Sequence, residues 1–338
     1  MQKCIIAEVH DKINSFFSKK QFFQNIVDQP AETKPMKLKR RQTTIPPEPS
    51  RAERATRTDL ALEQSELWHR DAGEAAQLPG VRVRASEHRG IRTTWVDVLD
   101  EQGSRALGKP VGSYVTLELG DLGLGGAAAL TRAGRALADA LGSMMGLDGL
   151  APVLVVGLGN EDVTPDALGP LVLRRLLITR HLQDGALRGL RPVSALQPGV
   201  LGSTGMESLE IVQSVVEKTR PSALIAVDAL AARSPERLCT TVQLTDTGIT
   251  PGSGVGSLRL RLNREQLGIP VFAVGSPTVI DAGALFAGRP GVGDMILTPR
   301  SIDSRVRQIA GVIGSGLNFS LHNRLTAAQF AQFVEASR

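Results

Sequence analysis

The chain has 338 residues, of which 42% are hydrophobic, 22% charged and 4% aromatic, with a net charge of +5. That is ample apolar material for a core, so a wholly disordered chain is excluded, as is a membrane-spanning helix, because no run of about 18 apolar residues occurs. Two cysteines, Cys4 and Cys239, and five scattered histidines with no HExxH exclude a disulfide framework, a cysteine-rich zinc site and a metalloprotease helix.

The charge is uneven along the chain. Residues 1–57 carry 12 Lys and Arg against six Asp and Glu, which leaves 27 against 28 for the remainder. The basic excess therefore belongs to an N-terminal tail, and the nearly neutral, aromatic-poor remainder is not expected to bind nucleic acid. Ile6, Val9, Ile13 and Phe16/Phe17 recur at helical spacing and predict an amphipathic helix over 5–27. Residues 28–56, rich in Pro and charge, read as a flexible linker, within which Lys37–Arg41 reads as a solvated run and Met36 offers an alternative start. No small-residue cleavage site follows a suitable apolar run, so no signal peptide is read.

Beyond Arg57 the pattern is globular. Val81/Val83 alternating with Arg82/Arg84, a turn at Glu87–Gly90 and extended Trp95–Leu99 predict a hairpin, and Ser113–Leu119 a third strand. Leu130, Ala133, Leu137, Leu141 and Met144/Met145 predict a helix over 127–145. The texture then alternates: strands at Pro152–Gly157, Ala223–Asp228 and Ile269–Gly275, and helices at 166–182, Glu207–Thr219 and Arg305–Asn318. Near-continuous apolar strands separated by helices predict an α/β fold, a mostly parallel central sheet flanked by helices, with an N-terminal β-hairpin region.

In such sheets ligands gather beyond the carboxyl ends of the strands, and three glycine-rich polar segments lie there. After the first strand comes Gly157–Asp166, where Thr164 reads as an N-cap, Pro165 as the first helical residue and Asp166 as a first-turn acid favoured as the carboxylate. Asp166 could do no more than complement the helix dipole. Asp228 closes an apolar strand, where a carboxylate is costly unless paired or functional, though it could also cap an ordinary turn. Together the two could share one water and one proton, Asp166 as general base and Asp228 as general acid, or the reverse. The third segment, 245–256, carries Gly252, Gly254 and Gly256, which would let a backbone approach a peptide or phosphate closely. It has no GK[ST], so it is no Walker loop, and Asp162 stands where a dinucleotide fingerprint would place its third glycine. Ser203 and Thr204 have no nearby His to activate them, and Cys239 reads as an inert thiol.

Longer strings carry a family resemblance. GLGNEDVTPDALGP (157–170), LLITRHL (176–182), PGVLGSTGMES (198–208), AVDALAARSPERL (226–238), TDTGITPGSGVG (245–256) and LGIPVFAVGSPTVIDA (267–282) occur in order along the chain. They resemble the germination proteases of spore-forming bacteria, and the likeness covers about Arg57 to Val334. The resemblance implies a cytoplasmic endopeptidase of the forespore or spore core that degrades small, acid-soluble, DNA-binding spore proteins. It implies an atypical aspartic peptidase with no cofactor and no metal, whose two catalytic acids fall on Asp166 and Asp228. It also implies a homotetramer made as an inactive precursor that removes its own propeptide. In this chain the cut falls in RTDLA (57–61), between Asp59 and Leu60, making 1–59 an extension or propeptide and 60–338 a single peptidase domain. Asn160, Thr164 and the Gly252, Gly254 and Gly256 loop are expected to position the acids or the substrate backbone. The fold further resembles hydrogenase maturation peptidases, which keeps open a metal-assisted or non-catalytic maturation factor. Two features depart from the family pattern: a tail of 56 residues before RTD, and a shortened, Gly/Pro-rich stretch between Asp281 and Leu297.

Overall fold

The computed structural model describes residues 58–73, 77–120, 126–147, 150–182, 190–252, 259–286 and 295–323. The expected helix over 5–27, the linker over 28–56, Gly254 and Gly256 lie outside the described residues. In chain order the elements are α1 (Ala61–Ala72), β1 (Val81–His88), β2 (Ile91–Val98), α2 (Glu101–Leu107), β3 (Gly112–Glu118) and α3 (Gly126–Met145). There follow β4 (Val153–Gly157), a 3-10 turn at Thr164–Asp166, α4 (Leu168–Leu173), β5 (Val193–Leu196), α5 (Leu201–Thr204), α6 (Ser208–Thr219) and β6 (Ala223–Ala232). The chain continues through a 3-10 turn at Pro235–Arg237, β7 (Thr241–Thr245), α7 (Arg264–Leu267), β8 (Val271–Asp281), α8 (Ala282–Leu285), β9 (Ile296–Leu297) and α9 (Ile302–Leu321).

The strands form one nine-stranded sheet, in the order β1-β2-β3-β7-β8-β6-β4-β5, with β9 paired to β8. It is an α/β fold, but the sheet is mixed rather than mostly parallel. Only β5–β4, β4–β6 and β6–β8 run parallel; the hairpin, β3 and β7 add an antiparallel half joined through β7–β8. Apolar runs could not reveal this, because β7 (TVQLT), the strand that joins the two halves, alternates polar with apolar residues and yet is buried throughout.

Alternation along the parallel strands divides the core. Val153, Val155, Ala223, Ile225 and Val227 face α3 and α9, whereas Leu154, Val156, Leu224 and Ala226 face α6. Helices α3 and α9 cross so closely that a Cβ on Gly316 would lie 2.4 Å from Leu137 Cδ2. Among the described residues no helix is long and apolar enough to cross a membrane.

Three predicted elements, one helix and two strands, differ most from those observed. The helix expected over 166–182 shrinks to the 3-10 turn and α4, because α9 satisfies the following backbone instead. The Leu177 amide donates to Asn318 Oδ1 (2.9 Å), and Asn318 Nδ2 donates to the Arg175 carbonyl (2.7 Å). The second difference is that β6 and β8 run well past Asp228 and Gly275 as a parallel pair, with an irregularity between Leu230 and Ala231. Asp228 is thus a mid-strand residue, beside the point where the shorter β4 stops at Gly157, which pairs with Val227.

Candidate active site

Strand β4 leads through α4 to β5 on one side, while β6 leads towards β8 on the other. The crevice at such a divergence is where open sheets place their ligands. The turn after β4 is shaped by Gly159, at φ +104°, where a Cβ would stand 2.0 Å from the Asp166 carbonyl oxygen. Only glycine permits that approach, which folds the loop back so that the Asn160 amide donates to Asp166 Oδ2 at 2.8 Å. Thr164 is not the N-cap: Val163 holds that position, and the Thr164 hydroxyl donates to Asp303 Oδ1 at 3.3 Å.

Asp228 is buried, 4% exposed, on the α6 side of the sheet by its parity with Leu224 and Ala226. Its Oδ1 accepts from the Ala229 amide at 2.9 Å, and the Gly252 amide donates to the same carboxyl group. Burial pushes the Asp228 carboxyl well above the ordinary range; the negative charges of Asp166 and Asp59 push it further, against those two amides. Asp166 is half-buried. Burial raises it as well, but the Asn160 amide and the Arg259 guanidinium pull it back. Desolvation thus outweighs the helix-end field expected for Asp166.

Both acids line a cavity of about 410 Å³, which Gly252, Arg259 and Asp59 also line. Asp59 belongs to a short segment laid along β6. Its amide donates to the Ala231 carbonyl (2.9 Å), and the Ala231 amide donates back to Asp59 Oδ2 (2.8 Å). Leu60 is wholly buried against Leu230 and Ala232, a burial that stabilises by about 1.5–3 kcal/mol. Glu63, buried in the first turn of α1, accepts from the amides of Arg233 (2.8 Å) and Ser234 (3.0 Å) and from the Thr58 hydroxyl. These contacts pin the 58–63 segment to the far end of β6.

The structure therefore brings Asp59, Asp166, Asp228 and Gly252 to one cavity, with Asn160 acting on it through its backbone, while Thr164 turns to α9. Sequence reasoning missed Arg259, one of two arginines alternating with leucines in LRLRL (258–262), a pattern that reads as an ordinary extended segment. Among the described residues no three His, Cys, Asp or Glu side chains converge as a metal-holding group. Cys239 is free and buried, its thiol pushed up to about 11 by burial.

The sequence model of the germination protease family matches residues 57–289, a span that holds every residue of this cavity up to β8. The chain belongs to the germination protease family. The germination protease of Caldanaerobacter subterraneus subsp. tengcongensis is 39% identical over 321 residues, covering 82% of this chain and 98% of that relative. That of Clostridium tetani is 36% identical over 314 residues, covering 80% and 97%. That of Bacillus mycoides is 44% identical over 235 residues, covering 68% and 64%. As a member of the family the chain is an enzyme, a peptidase that cleaves protein in spores.

Proposed function

We propose that this germination protease is a self-processing endopeptidase in which Asp166 and Asp228 activate water. The observation that carries the reading is the placement of Asp59 in the same cavity as both acids, with its backbone already bonded to β6. A peptide whose backbone is fixed by a hydrogen bond to a strand beside two carboxyls is the arrangement that peptide hydrolysis needs. Asp228, the more strongly raised acid, holds the proton; Asp166, steadied by the Asn160 amide and Arg259, takes one from water. Hydroxide adds to the Asp59 carbonyl carbon, Asp228 protonates the Leu60 nitrogen, and the C–N bond breaks.

On this reading residues 1–59 are the propeptide and 60–338 the peptidase domain. The substrates are small acid-soluble DNA-binding spore proteins, held in the cavity the segment now lines. Homotetrameric assembly, action in the spore core cytoplasm and kinship of fold with hydrogenase maturation peptidases belong to the same reading.

The experiment is intact-mass spectrometry of the full chain across a pH series, beside Asp166→Asn and Asp228→Asn. The wild type loses residues 1–59, and each variant slows by about 10²–10⁴-fold. The rate rises as pH falls and Asp228 gains its proton, then drops once Asp166 is protonated too, so the pair gives a bell. Cleavage of the variants at the wild-type rate would sink the proposal.

A further inference from the structure

The Asp59 carbonyl has hydrogen-bond donors of its own. Lys109 Nζ donates to Asp59 O at 3.0 Å and to Thr58 O at 3.1 Å. Gln243 Nε2 donates to Asp59 O at 3.1 Å, while Gln243 Oε1 accepts from the Ala61 amide at 2.8 Å. Lys109 follows α2 at a turn made by Gly108 in left-handed conformation, and buried Gln243 is the middle residue of β7. Both therefore come from the antiparallel half of the sheet, whereas Asp166 and Asp228 come from the parallel half.

Two cavities flank the segment. Asp59 lines the one that holds Asp166 and Asp228, and it also lines a second, of about 260 Å³, with Lys109, Gln243 and Arg261. Asp59 thus lines both the cavity of the proposed proton-handling groups and the cavity of these hydrogen-bond donors.

We infer that Lys109 and Gln243 are catalytic residues that bind the oxyanion formed when the Asp59–Leu60 bond is hydrolysed. The inference rests on the proposed carboxylate mechanism. As the water oxygen bonds to the Asp59 carbonyl carbon, the C=O electron pair moves onto oxygen, between Lys109 Nζ and Gln243 Nε2. The water's proton passes to Asp166, the Asp228 proton passes to the Leu60 nitrogen, and the returning electron pair expels the amine. Donors already in place where charge develops need no reorganisation at that moment. Burial lowers the Lys109 pKa, and the carboxylates of Asp59 and Glu63 oppose that shift. An ammonium and an amine both offer the N–H that the geometry requires.

The alternative role for Lys109 is to seat the segment without touching the chemistry, and hydrogen exchange separates the two. Self-cleavage of the full chain is followed by intact mass in Lys109→Met and Lys109→Arg, beside Asp166→Asn and Asp228→Asn. Lys109→Met is expected to be about 10²–10³-fold slower, the loss typical of one oxyanion donor, and Lys109→Arg to recover part of it. Before cleavage, exchange at the Asp59 and Ala61 amides, which report seating against Ala231 and Gln243, stays as slow as in the wild type.

Cleavage of Lys109→Met at the wild-type rate overturns the inference. So does a slow variant whose Asp59 and Ala61 amides exchange freely, because Lys109 then only seats the segment. Should Lys109→Met fail to fold, Gln243→Met carries the same comparison, with exchange at Asp59 alone reporting the seating. Wild type uncut at 59/60, or Asp variants cut as fast as wild type, brings down the carboxylate mechanism and the inference with it. That result is distinguishable from inert Asp variants beside a fully active Lys109→Met.

Discussion

The two halves of the sheet do different work. Strands β4, β6 and the first part of β8 are buried on both faces, by α3 and α9 on one side and α6 on the other. The hairpin half is lopsided: β1 is exposed over nearly its whole length, and its arginines face water, with Arg84 over the Trp95 ring and bonded to Asp97. The parallel half tolerates no slack and fixes the two acids. The antiparallel half, through Lys109 and Gln243, adds a second grip, on the Asp59 carbonyl of the segment that β6 also seats. A mixed sheet thus brings two acids from one half and two hydrogen-bond donors from the other to the same short segment.

Substitutions sharpen that contrast by size of effect. Ile225→Ala, in the fully buried first half of β6, removes a side chain with helices on its face. It is expected to cost about 2–5 kcal/mol, read as a lower denaturant midpoint at unchanged slope. Gly159→Ala comes next. The positive φ and the Asp166 carbonyl leave no room for a Cβ, so about 1–3 kcal/mol is lost. Self-cleavage falls with it, because the Asn160 amide leaves Asp166.

Asp228→Asn acts in the other direction. The folded-state pKa of Asp228 is raised, so its stabilising contribution is full below the unfolded value and fades as pH climbs through the folded one. The wild type therefore loses about 1.4 kcal/mol for each unit of that window, and the Asn variant does not. Melting curves from acid to neutral pH should show the variant gaining on the wild type as pH rises; parallel curves would remove the raised Asp228. At the small end, Val83→Ala on β1, 43% exposed, stays within about 0.5 kcal/mol.

How much of this could be read from residues alone follows the same division. The apolar runs at Val153–Gly157 and Ala223–Val227, and the helices at Gly126–Met145, Ser208–Thr219 and Ile302–Leu321, are strongly periodic, and they stand close to where periodicity places them. Asp228 is conspicuous behind the apolar run ALIAV and Asp166 as a first-turn acid behind Thr164 and Pro165, although the structure makes Asp228 a mid-strand residue. The extension of β6 through ALAA and of β8 through SPTVID is not conspicuous, since alanines and a proline give no strand signal and it is pairing with each other, with β9 and with the Asp59 segment that sustains them. Helix 166–182 failed for a related reason: Asn318, far away in sequence, supplies the partners that a longer helix would have supplied itself. Lys109 is one basic residue between Gly108 and Pro110, and its meaning lies wholly in a carbonyl some fifty positions earlier.

The seat of the 58–61 segment also fixes a kinetic order. Asp59 and Leu60 are bonded and packed against β6 of their own chain, at a local concentration that dilution of the protein cannot change. Under the proposed self-processing, the first cut is a unimolecular clock whose half-time is the same in a dilute tube and in a crowded compartment. Every later substrate must find the cleft by diffusion, so the enzyme's own maturation and its work on other proteins answer to different variables.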